Sequence, residues 1–194
     1  MMYVRLFIVV MCSLVVMSGQ AIHAQEGAPA TEDEAPPVTC EGGYAPLFRL
    51  GGRVQYPKNF DLDTLSQEPL TTVHDFFLTG QGTDSGTFTG VLLWDLLQEA
   101  QVITDPAQRN DLFRKAVLIT GSDCYETVYA MGELAPQLGG THQVIVAFKR
   151  DDLFLGDREG VARIINPGDK AGARRVLNIV RIRVLDVQPP GGQP

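Results

Sequence analysis

The stretch FTGVLLWDLLQEAQV, residues 88–102, predicts an amphipathic helix. Its apolar side chains recur at the spacing of one helical face, whereas Asp95, Gln98 and Glu99 fall on the other side. This pattern indicates a helix over residues 91–102 that packs one face against a core. The members of the apolar face are Leu92, Leu93, Leu96, Leu97 and Ala100.

Runs of β-branched and aromatic residues before and after this helix predict a chain made mainly of strands. Because the strands outnumber the helices and do not alternate with them one for one, the sequence favours an α+β fold over a doubly wound parallel sheet. The predicted strands lie within residues 46–57, 70–80, 116–122, 125–130, 142–156, 162–169 and 173–187.

Turn and cap residues define three further segments. Residues 60–69 predict one short helical turn, which Asp61 or Asp63 caps. Residues 81–90 contain three glycines among small polar residues, so they predict a loop. Residues 105–115 predict a second, weaker helix with a proline in its first turn.

Residues 1–24 predict a secretory signal peptide. Arg5 precedes an apolar run, and small and polar residues that end at Ala24 follow it. The apolar run is shorter than the roughly 20 residues that a bilayer-spanning helix needs. An uncleaved N-terminal anchor is the alternative. We therefore expect a mature chain that has no membrane span and is exported, either to the periplasm or out of the cell.

The remaining chain predicts one domain between two unstructured segments. Residues 25–39 are rich in Ala, Pro, Glu and Thr, and they cannot bury enough apolar surface to offset the entropy of ordering. The tail QPPGGQP, residues 188–194, has the same character. The predicted domain covers residues 40–187, a length that suits a single hydrophobic core.

The chain is acidic, which limits its partners. Its net charge is −7, and loss of Arg5 with the signal peptide makes it −8, because residues 1–24 contain no acid. Proteins that bind nucleic acid usually carry a basic patch, and anionic membranes attract basic segments. The sequence therefore argues against nucleic acid and anionic lipid as partners.

A metal site built from side chains alone is not predicted. His23 lies in the predicted signal peptide, and His74 and His142 have no Cys or His three or four positions away. Because His74 alternates with Val73 and Asp75 in a predicted strand, we expect an ordinary half-buried histidine there.

Cys40 and Cys124 are the two cysteines outside the predicted signal peptide. An even pair in an oxidising compartment suggests a disulfide, which would add about 4–5 kcal/mol of stability by closing a long loop. Two separate thiols are the alternative. The acidic neighbours Asp123 and Glu126 argue against a nucleophilic thiolate at Cys124, since such a thiolate needs positive charge nearby.

Two segments combine glycine with basic residues and could bind an anion. They are GGRVQ, residues 51–55, and PGDKAGARR, residues 167–175. In the second, the amides of a Pro-Gly turn lie beside Lys170, Arg174 and Arg175, and arginine can hold phosphate through two parallel hydrogen bonds. A solvated turn before an edge strand is the alternative.

The ordered set of these pieces resembles the oxidoreductase molybdopterin-binding domain family of the sulfite oxidase type. That family has a Gly-x-Val strand with a proline, a Gly-Val-x-Leu-x-Asp-Leu-Leu helix, an Asp-Gly-Tyr turn, an Arg-to-Pro-Gly strand and a Gly-Ala-Arg-x-Val turn. The likeness covers nearly all of residues 46–187. The matching residues are Gly52, Val54, Pro57, Gly90, Val91, Leu93, Asp95, Leu96, Leu97, Asp123, Tyr125, Arg163, Pro167, Gly168, Gly172, Ala173, Arg174 and Val176.

The resemblance implies mixed β-sheets with a few short helices, and a pocket for molybdopterin. In the turn between two strands, Cys124 stands where the family commonly has glycine. The candidate cofactor-binding residues that the resemblance implies are Thr79, Asp123, Tyr125, Arg163 and Arg174.

The resemblance also implies a metal ligand that this chain lacks. In active family members a cysteine thiolate binds molybdenum at the end of the strand before the Gly-Val-x-Leu helix, where this sequence has Leu78 or Thr79. Neither side chain replaces a soft thiolate donor. Leu177 stands where several members have a lysine that holds the pterin.

Three functions are consistent with this pattern. The first is an exported, non-catalytic or degenerate domain that binds a pterin, a small anionic ligand, or a redox or other periplasmic protein partner. Its cleft would lie near Arg163, Arg174 and residues 78–88. The second is a molybdenum-dependent oxidoreductase of the sulfite oxidase type with an atypical metal site. The third is a structural domain without a ligand.

Overall fold

Residues 38–138 and 143–187 are described by a computed structural model of the chain. The predicted signal peptide, most of the predicted linker, the predicted tail and His142 lie outside these residues. The strands, in chain order, are β1 (Phe48–Gly52), β2 (Lys58–Phe60), β3 (Leu70–Thr79), β4 (Gly82–Leu92), β5 (Lys115–Gly121), β6 (Glu126–Ala130), β7 (Ile145–Arg150), β8 (Leu153–Phe154), β9 (Arg163–Ile165) and β10 (Ile179–Asp186).

The first sheet has the strand order β2-β1-β10-β5-β6. Strands β1 and β10 are parallel, with Leu50 opposite Ile182, and the other neighbours are antiparallel. The parallel pair brings the start and the end of the described chain together at the centre of this sheet. The turn between β5 and β6 is thereby placed beside the segment that precedes β1.

The second sheet has the order β3-β4-β7-β8, and β9 also pairs with β7. Strands β3 and β4 form a long hairpin in unbroken register, from Leu70 opposite Val91 to Thr79 opposite Gly82. Only Gly80 and Gln81 separate the last pair, so the hairpin closes in a two-residue turn. Strand β3 forms one edge of the sheet.

Short helices connect the strands. The first of them begins as its sequence predicts: the Asp61 carboxylate accepts from the Thr64 amide at 2.9 Å, and the Thr64 hydroxyl accepts from the Asp61 amide at 2.8 Å. No helix in the described residues is long and apolar enough to cross a membrane. The helices are α1 (Leu62–Gln67), α2 (Leu93–Glu99) and α3 (Met131–Leu134), with 3₁₀ helices at Asp111–Arg114, Pro136–Leu138 and Gly172–Arg174.

The main core lies between the two sheets and includes the apolar face of α2, whose Leu93 and Leu97 are fully buried. Alternate residues of strand β7 belong to two different apolar clusters. Val146 lies in the main core, whereas Ile145 and Ala147 lie in a smaller cluster on the other face of the second sheet. The second sheet is therefore apolar on both faces. The smaller cluster on its other face contains Val73, Phe77, Phe88, Ile145, Ala147 and Ile165.

Residues 81–90 form most of strand β4, so the predicted loop is wrong. Two of the glycines there allow close contact between strands. A Cβ atom at Gly90 would lie 2.2 Å from the Val146 carbonyl oxygen, and one at Gly86 would lie 2.9 Å from the Arg150 Nε. Threonine and serine between these glycines fit a half-exposed strand.

The predicted helix over residues 105–115 is also wrong in extent, because only the 3₁₀ turn Asp111–Arg114 forms. Two aspartates hold the preceding residues in a different conformation. The Asp105 carboxylate accepts from the Ala107 amide at 2.8 Å, and the Asp111 carboxylate accepts from the Asp105 amide at 2.9 Å. Such local side-chain bonds compete with helical hydrogen bonds.

Candidate functional site

The basic residues expected to bind an anion lie in the segment that follows β9 and in β9 itself. Arg163 is buried in β9, where its guanidinium pairs with the Glu159 carboxylate. The Phe88 ring lies 5.4 Å from the guanidinium carbon. Burial lowers the pKa of Arg163, and the charge of Glu159 opposes this shift. The charge of Arg163 is therefore already balanced by Glu159.

Arg174 ends the 3₁₀ helix Gly172–Arg174 and is paired with two carboxylates. It donates to both oxygens of Asp169, at 3.0 and 2.7 Å, and to Glu133 at 2.8 Å. Its guanidinium also lies over the Tyr129 ring, 4.6 Å from the centroid. The hydrogen bonds that Arg174 donates to Asp169 raise the pKa of Arg174 above its ordinary value. Although its side chain is 35% exposed, its charge is already balanced.

Arg175 is buried and forms the most extensively bonded group of the segment. It pairs with the equally buried Asp75 of β3, with the Asp75 Oδ2 2.6 Å from its Nη2. It also donates to the carbonyl oxygens of Ala171, Asn166 and Asp169. These bonds fasten the segment to the second sheet, which gives Arg175 a structural role.

The Pro-Gly turn that precedes these arginines uses its own amides. The Gly168 amide donates to the Asn166 side-chain oxygen at 3.1 Å, and the Asp169 amide donates to the Asn166 carbonyl at 3.1 Å. The turn therefore does not present these two amides to an anion. Of the two alternatives for PGDKAGARR, the geometry favours an internally bonded turn.

Thr79 lies at the closed end of the β3–β4 hairpin. Its hydroxyl donates to the Gly82 carbonyl at 2.8 Å and accepts from the Gln81 amide at 3.1 Å. Leu78, the other residue at the expected ligand position, is 55% exposed, and its amide donates to the Lys170 carbonyl at 3.0 Å. The position at which the resemblance implies a metal ligand is thus the tip of a hairpin.

Asp123 and Tyr125 form the turn between β5 and β6. The Asp123 carboxylate accepts from the Tyr125 amide at 3.0 Å. The Tyr125 hydroxyl donates to the Ala173 carbonyl at 2.5 Å, beside Arg174. The structure therefore places Tyr125 against the segment that carries Arg174, whereas Arg163 lies over Phe88 in the second sheet.

Cys40 and Cys124 form a disulfide, with their Cα atoms 4.9 Å apart. The expectation of a bridge is confirmed, and the alternative of two separate thiols is wrong. Cys124 has a φ of 61°, the left-handed conformation that favours glycine. Hydrogen bonds beside the bridge hold the same two segments together, since the Gly42 amide donates to the Ser122 carbonyl at 3.0 Å.

The described side chains do not fit a molybdenum cofactor of the expected kind. Both cysteines of the described chain are oxidised in the bridge, so neither offers a thiolate. No group of three or more His, Cys, Asp and Glu in residues 38–138 and 143–187 is arranged to hold a metal ion. The guanidinium groups near the expected pterin pocket are already paired with carboxylates.

Two side chains behave differently from the sequence-based expectation. His74 is exposed on β3, where its Nδ1 lies 3.4 Å from the Thr87 hydroxyl, so the expected half-burial is wrong. Its neighbour Asp75 is the buried one, at 2% exposure. The alternation of Val73, Asp75 and Phe77 on one face of β3 was the signal for this burial.

The Tyr129 phenol gives the site a pH-dependent contribution to stability. Burial raises its pKa above the ordinary value of 10, and its hydroxyl donates to the Arg174 carbonyl at 3.0 Å. Because the folded state keeps this proton longer than the unfolded state, the stabilisation is complete below pH 10 and declines as the pH rises further.

We expect Tyr129→Phe to lose about 1 kcal/mol of unfolding free energy at neutral pH, because the hydrogen bond to the Arg174 carbonyl is lost. The difference between variant and wild type should then narrow above about pH 10, where only the wild type has this phenol to ionise. Urea denaturation of both proteins, at neutral pH and above about pH 10, measures this difference in unfolding free energy. A difference that stays constant with pH would contradict the assignment.

The two sheets and their connections form an α+β fold of the sulfite oxidase type, as the sequence resemblance implied. The fold is similar to that of the sulfane dehydrogenase SoxCD from Paracoccus pantotrophus. The TM-score is 0.59 and the sequence identity 21%, over 87% of this chain and 56% of that one. The chain thus spans little more than half the length of that structure. No protein-family model and no curated protein matches the chain.

Proposed function

We propose that the chain is an exported, non-catalytic binding domain built on a sulfite oxidase-type fold. The observation that carries this proposal is the closed end of the β3–β4 hairpin. Leu78 and Thr79 occupy the expected metal-ligand position there, and the Thr79 hydroxyl is bonded within the turn. A side chain of this kind offers molybdenum no thiolate donor.

The ligand of this domain is proposed to be a protein in the compartment to which the chain is exported. The sequence also suggested a small anionic or pterin-like ligand. An anion at Arg174 would compete with the carboxylates of Asp169 and Glu133, which lie 2.7 and 2.8 Å from its nitrogens. An anion at Arg175 would have to displace the buried Asp75. The paired guanidinium groups therefore support a protein partner over an anionic ligand.

Export is supported by the disulfide. A bridge between Cys40 and Cys124 persists in an oxidising compartment and is rare where thiols are kept reduced. This agrees with the signal peptide that the sequence predicts in residues 1–24.

The proposal predicts that the purified chain contains neither molybdenum nor pterin. The chain should be produced with its own export signal in a host that makes the cofactor, and both components should be measured per chain. A molybdenum enzyme purified from the same cells provides the positive control. Stoichiometric metal and pterin would overturn the proposal and favour a molybdenum-dependent oxidoreductase with an atypical metal site.

Calorimetric titration with inorganic phosphate tests the anionic ligand separately. We expect no saturable binding by the wild-type chain. Binding that Arg174→Gln abolishes and Arg49→Gln leaves unchanged would overturn the preference for a protein partner, because Arg49 lies on β1, away from the segment that follows β9.

A further inference from the structure

Among the described residues, the outer edge of strand β3 is open over most of its length. β3 pairs with β4 on one side, and on the other side it meets only the segment next to Leu78 within residues 38–138 and 143–187. There the Leu78 amide donates to the Lys170 carbonyl at 3.0 Å. The edge from Leu70 to Phe76 carries backbone groups that another strand could bind.

The direction of these backbone groups follows from Leu78. Its amide points out of the hairpin, because it bonds to Lys170 and not to β4. In an antiparallel pair this direction alternates along the strand, so every second residue points the same way. The residues whose amides and carbonyls face outward are therefore Leu70, Thr72, His74 and Phe76, in addition to Leu78.

This edge lacks the features that usually prevent strands from pairing. Natural edge strands are short, bulged, or marked by Lys, Pro or inward-pointing charges. Strand β3 has ten residues in unbroken register with β4, and it contains no Lys, Arg or Pro. Its single carboxylate, Asp75, is buried against Arg175. Two of its apolar side chains are exposed beside the open edge, Leu70 at 50% and Phe76 at 63%.

We infer that this edge binds a second copy of the chain, with β3 of one protomer antiparallel to β3 of its partner. The register that uses every free outward-facing residue and leaves Leu78 bonded to Lys170 is centred on Val73. It places Leu70 opposite Phe76 of the partner subunit, and by symmetry Phe76 opposite the partner's Leu70. Thr72 then lies opposite the partner's His74.

Symmetry favours a second copy over other strands, and the charge distribution permits it at this edge. The chain has a net charge of −7, so two copies repel over most of their surfaces. The β3 edge is a place where they can approach without bringing exposed carboxylates together. A twofold interface must match its own surface, and the Leu70–Phe76 pairing does so twice. The two second sheets would join into one continuous sheet through β3.

The inference goes beyond the proposed function and does not depend on it, because strand pairing requires only the open edge. A chain that bound molybdopterin could still pair in this way, and a chain without cofactor could remain monomeric. The metal and pterin assay can therefore contradict the proposed function without contradicting strand pairing, and the measurement of association can do the reverse.

Sedimentation velocity at increasing concentration tests the inference. We expect the wild type to show a monomer–dimer equilibrium. Thr72→Pro removes an outward-facing amide and blocks an approaching strand. It keeps the backbone hydrogen bonds to β4 and loses the contact between the Thr72 and Thr89 hydroxyls. Phe76→Lys places a charge at the contact. Each should weaken dimerisation at least about tenfold. Leu153→Lys is the matched control, because Leu153 is 73% exposed on β8 at the other end of the sheet.

A wild type that stays monomeric overturns the inference. The inference is also overturned if the wild type dimerises and neither Thr72→Pro nor Phe76→Lys weakens the dimer. The near-ultraviolet circular dichroism of both variants must then match that of the wild type, which shows that they are folded.

Cross-linking tests the register. In the proposed pairing the Cα atoms at positions 70 and 76 of opposite protomers lie about 5.5 Å apart, which suits a disulfide. The double variant Leu70→Cys with Phe76→Cys should form a covalent dimer under a mild oxidant. The control Thr72→Cys with Phe76→Cys, which fits a register centred on His74, should not. The opposite result would overturn the proposed register.

Discussion

Replacing Asp75 with Asn is expected to lower the free energy of unfolding by about 3–5 kcal/mol, because it leaves the Arg175 charge buried without a counter-charge. Both side chains of this pair are 1% exposed, and two Arg175 nitrogens contact the Asp75 Oδ2 at 2.6 and 2.8 Å. Arg175 also holds three backbone carbonyls of the segment after β9. Loss of its orientation should therefore loosen the segment that carries Arg174.

The matched control is Asp84→Asn, which breaks a similar pair at the surface. Asp84 and Arg150 are 36% and 31% exposed and lie 2.5 Å apart. A half-exposed pair of this kind contributes about 0–1 kcal/mol. Equilibrium denaturation in urea measures both variants against the wild type. Equal losses for the two variants would contradict the structural importance of the buried pair.

The second large effect is expected from the disulfide. The double variant Cys40→Ser with Cys124→Ser should lose about 4–5 kcal/mol of unfolding free energy, since the bridge constrains the unfolded chain over a long loop. The two residues are 84 positions apart. Removing both cysteines avoids leaving a free thiol at either position.

Reduction of the wild type provides the control for this variant. Under a strong reductant the wild type and the double variant should unfold at the same denaturant concentration, because neither then has the bridge. Without reductant, thiol titration of the denatured wild type should find one thiol, from Cys12 of the predicted signal peptide, if residues 1–24 are retained, and none if they are removed. Coincident unfolding of the oxidised wild type and the variant would show that the bridge does not contribute.

Periodic burial explains why much of the fold could be predicted from the sequence. The apolar residues of α2 repeat at helical spacing because one face contacts the core, and Leu93, Leu96 and Leu97 are all buried. The Asp61 cap of α1 is equally local, since its partner Thr64 is three residues away. Signals contained within one element need no knowledge of the rest of the chain.

The β3–β4 hairpin could not be predicted in this way, because a glycine can be required at a position for more than one structural reason. In residues 81–90 the glycines suggested a flexible loop. Gly86 and Gly90 instead lie close to Arg150 and Val146 on the neighbouring strand β7, whereas Gly82 has a φ of 120° beside the two-residue turn. A sequence does not distinguish a glycine that permits a turn from one that permits close packing until its spatial neighbour is known.

The candidate site shows the same limit at longer range. The sequence located the arginines of the segment after β9, but not their partners. Asp75 is 100 positions from Arg175, and Glu133 is 41 positions from Arg174. Whether an arginine is available to a ligand depends on such distant carboxylates, so a basic motif alone does not decide whether this segment binds an anion.

Gly90 shows that the motif shared with the resembled family reflects packing constraints. It opens the Gly-Val-x-Leu-x-Asp-Leu-Leu pattern, and any side chain at this position would collide with the Val146 carbonyl and the Ala147 Cα. The buried leucines that follow it are likewise required by packing. The motif therefore constrains how two layers of the molecule fit together, and it would persist in a chain that had lost its chemistry. Sequences that share it can therefore be grouped by architecture, while their reactions must be decided from residues outside the motif.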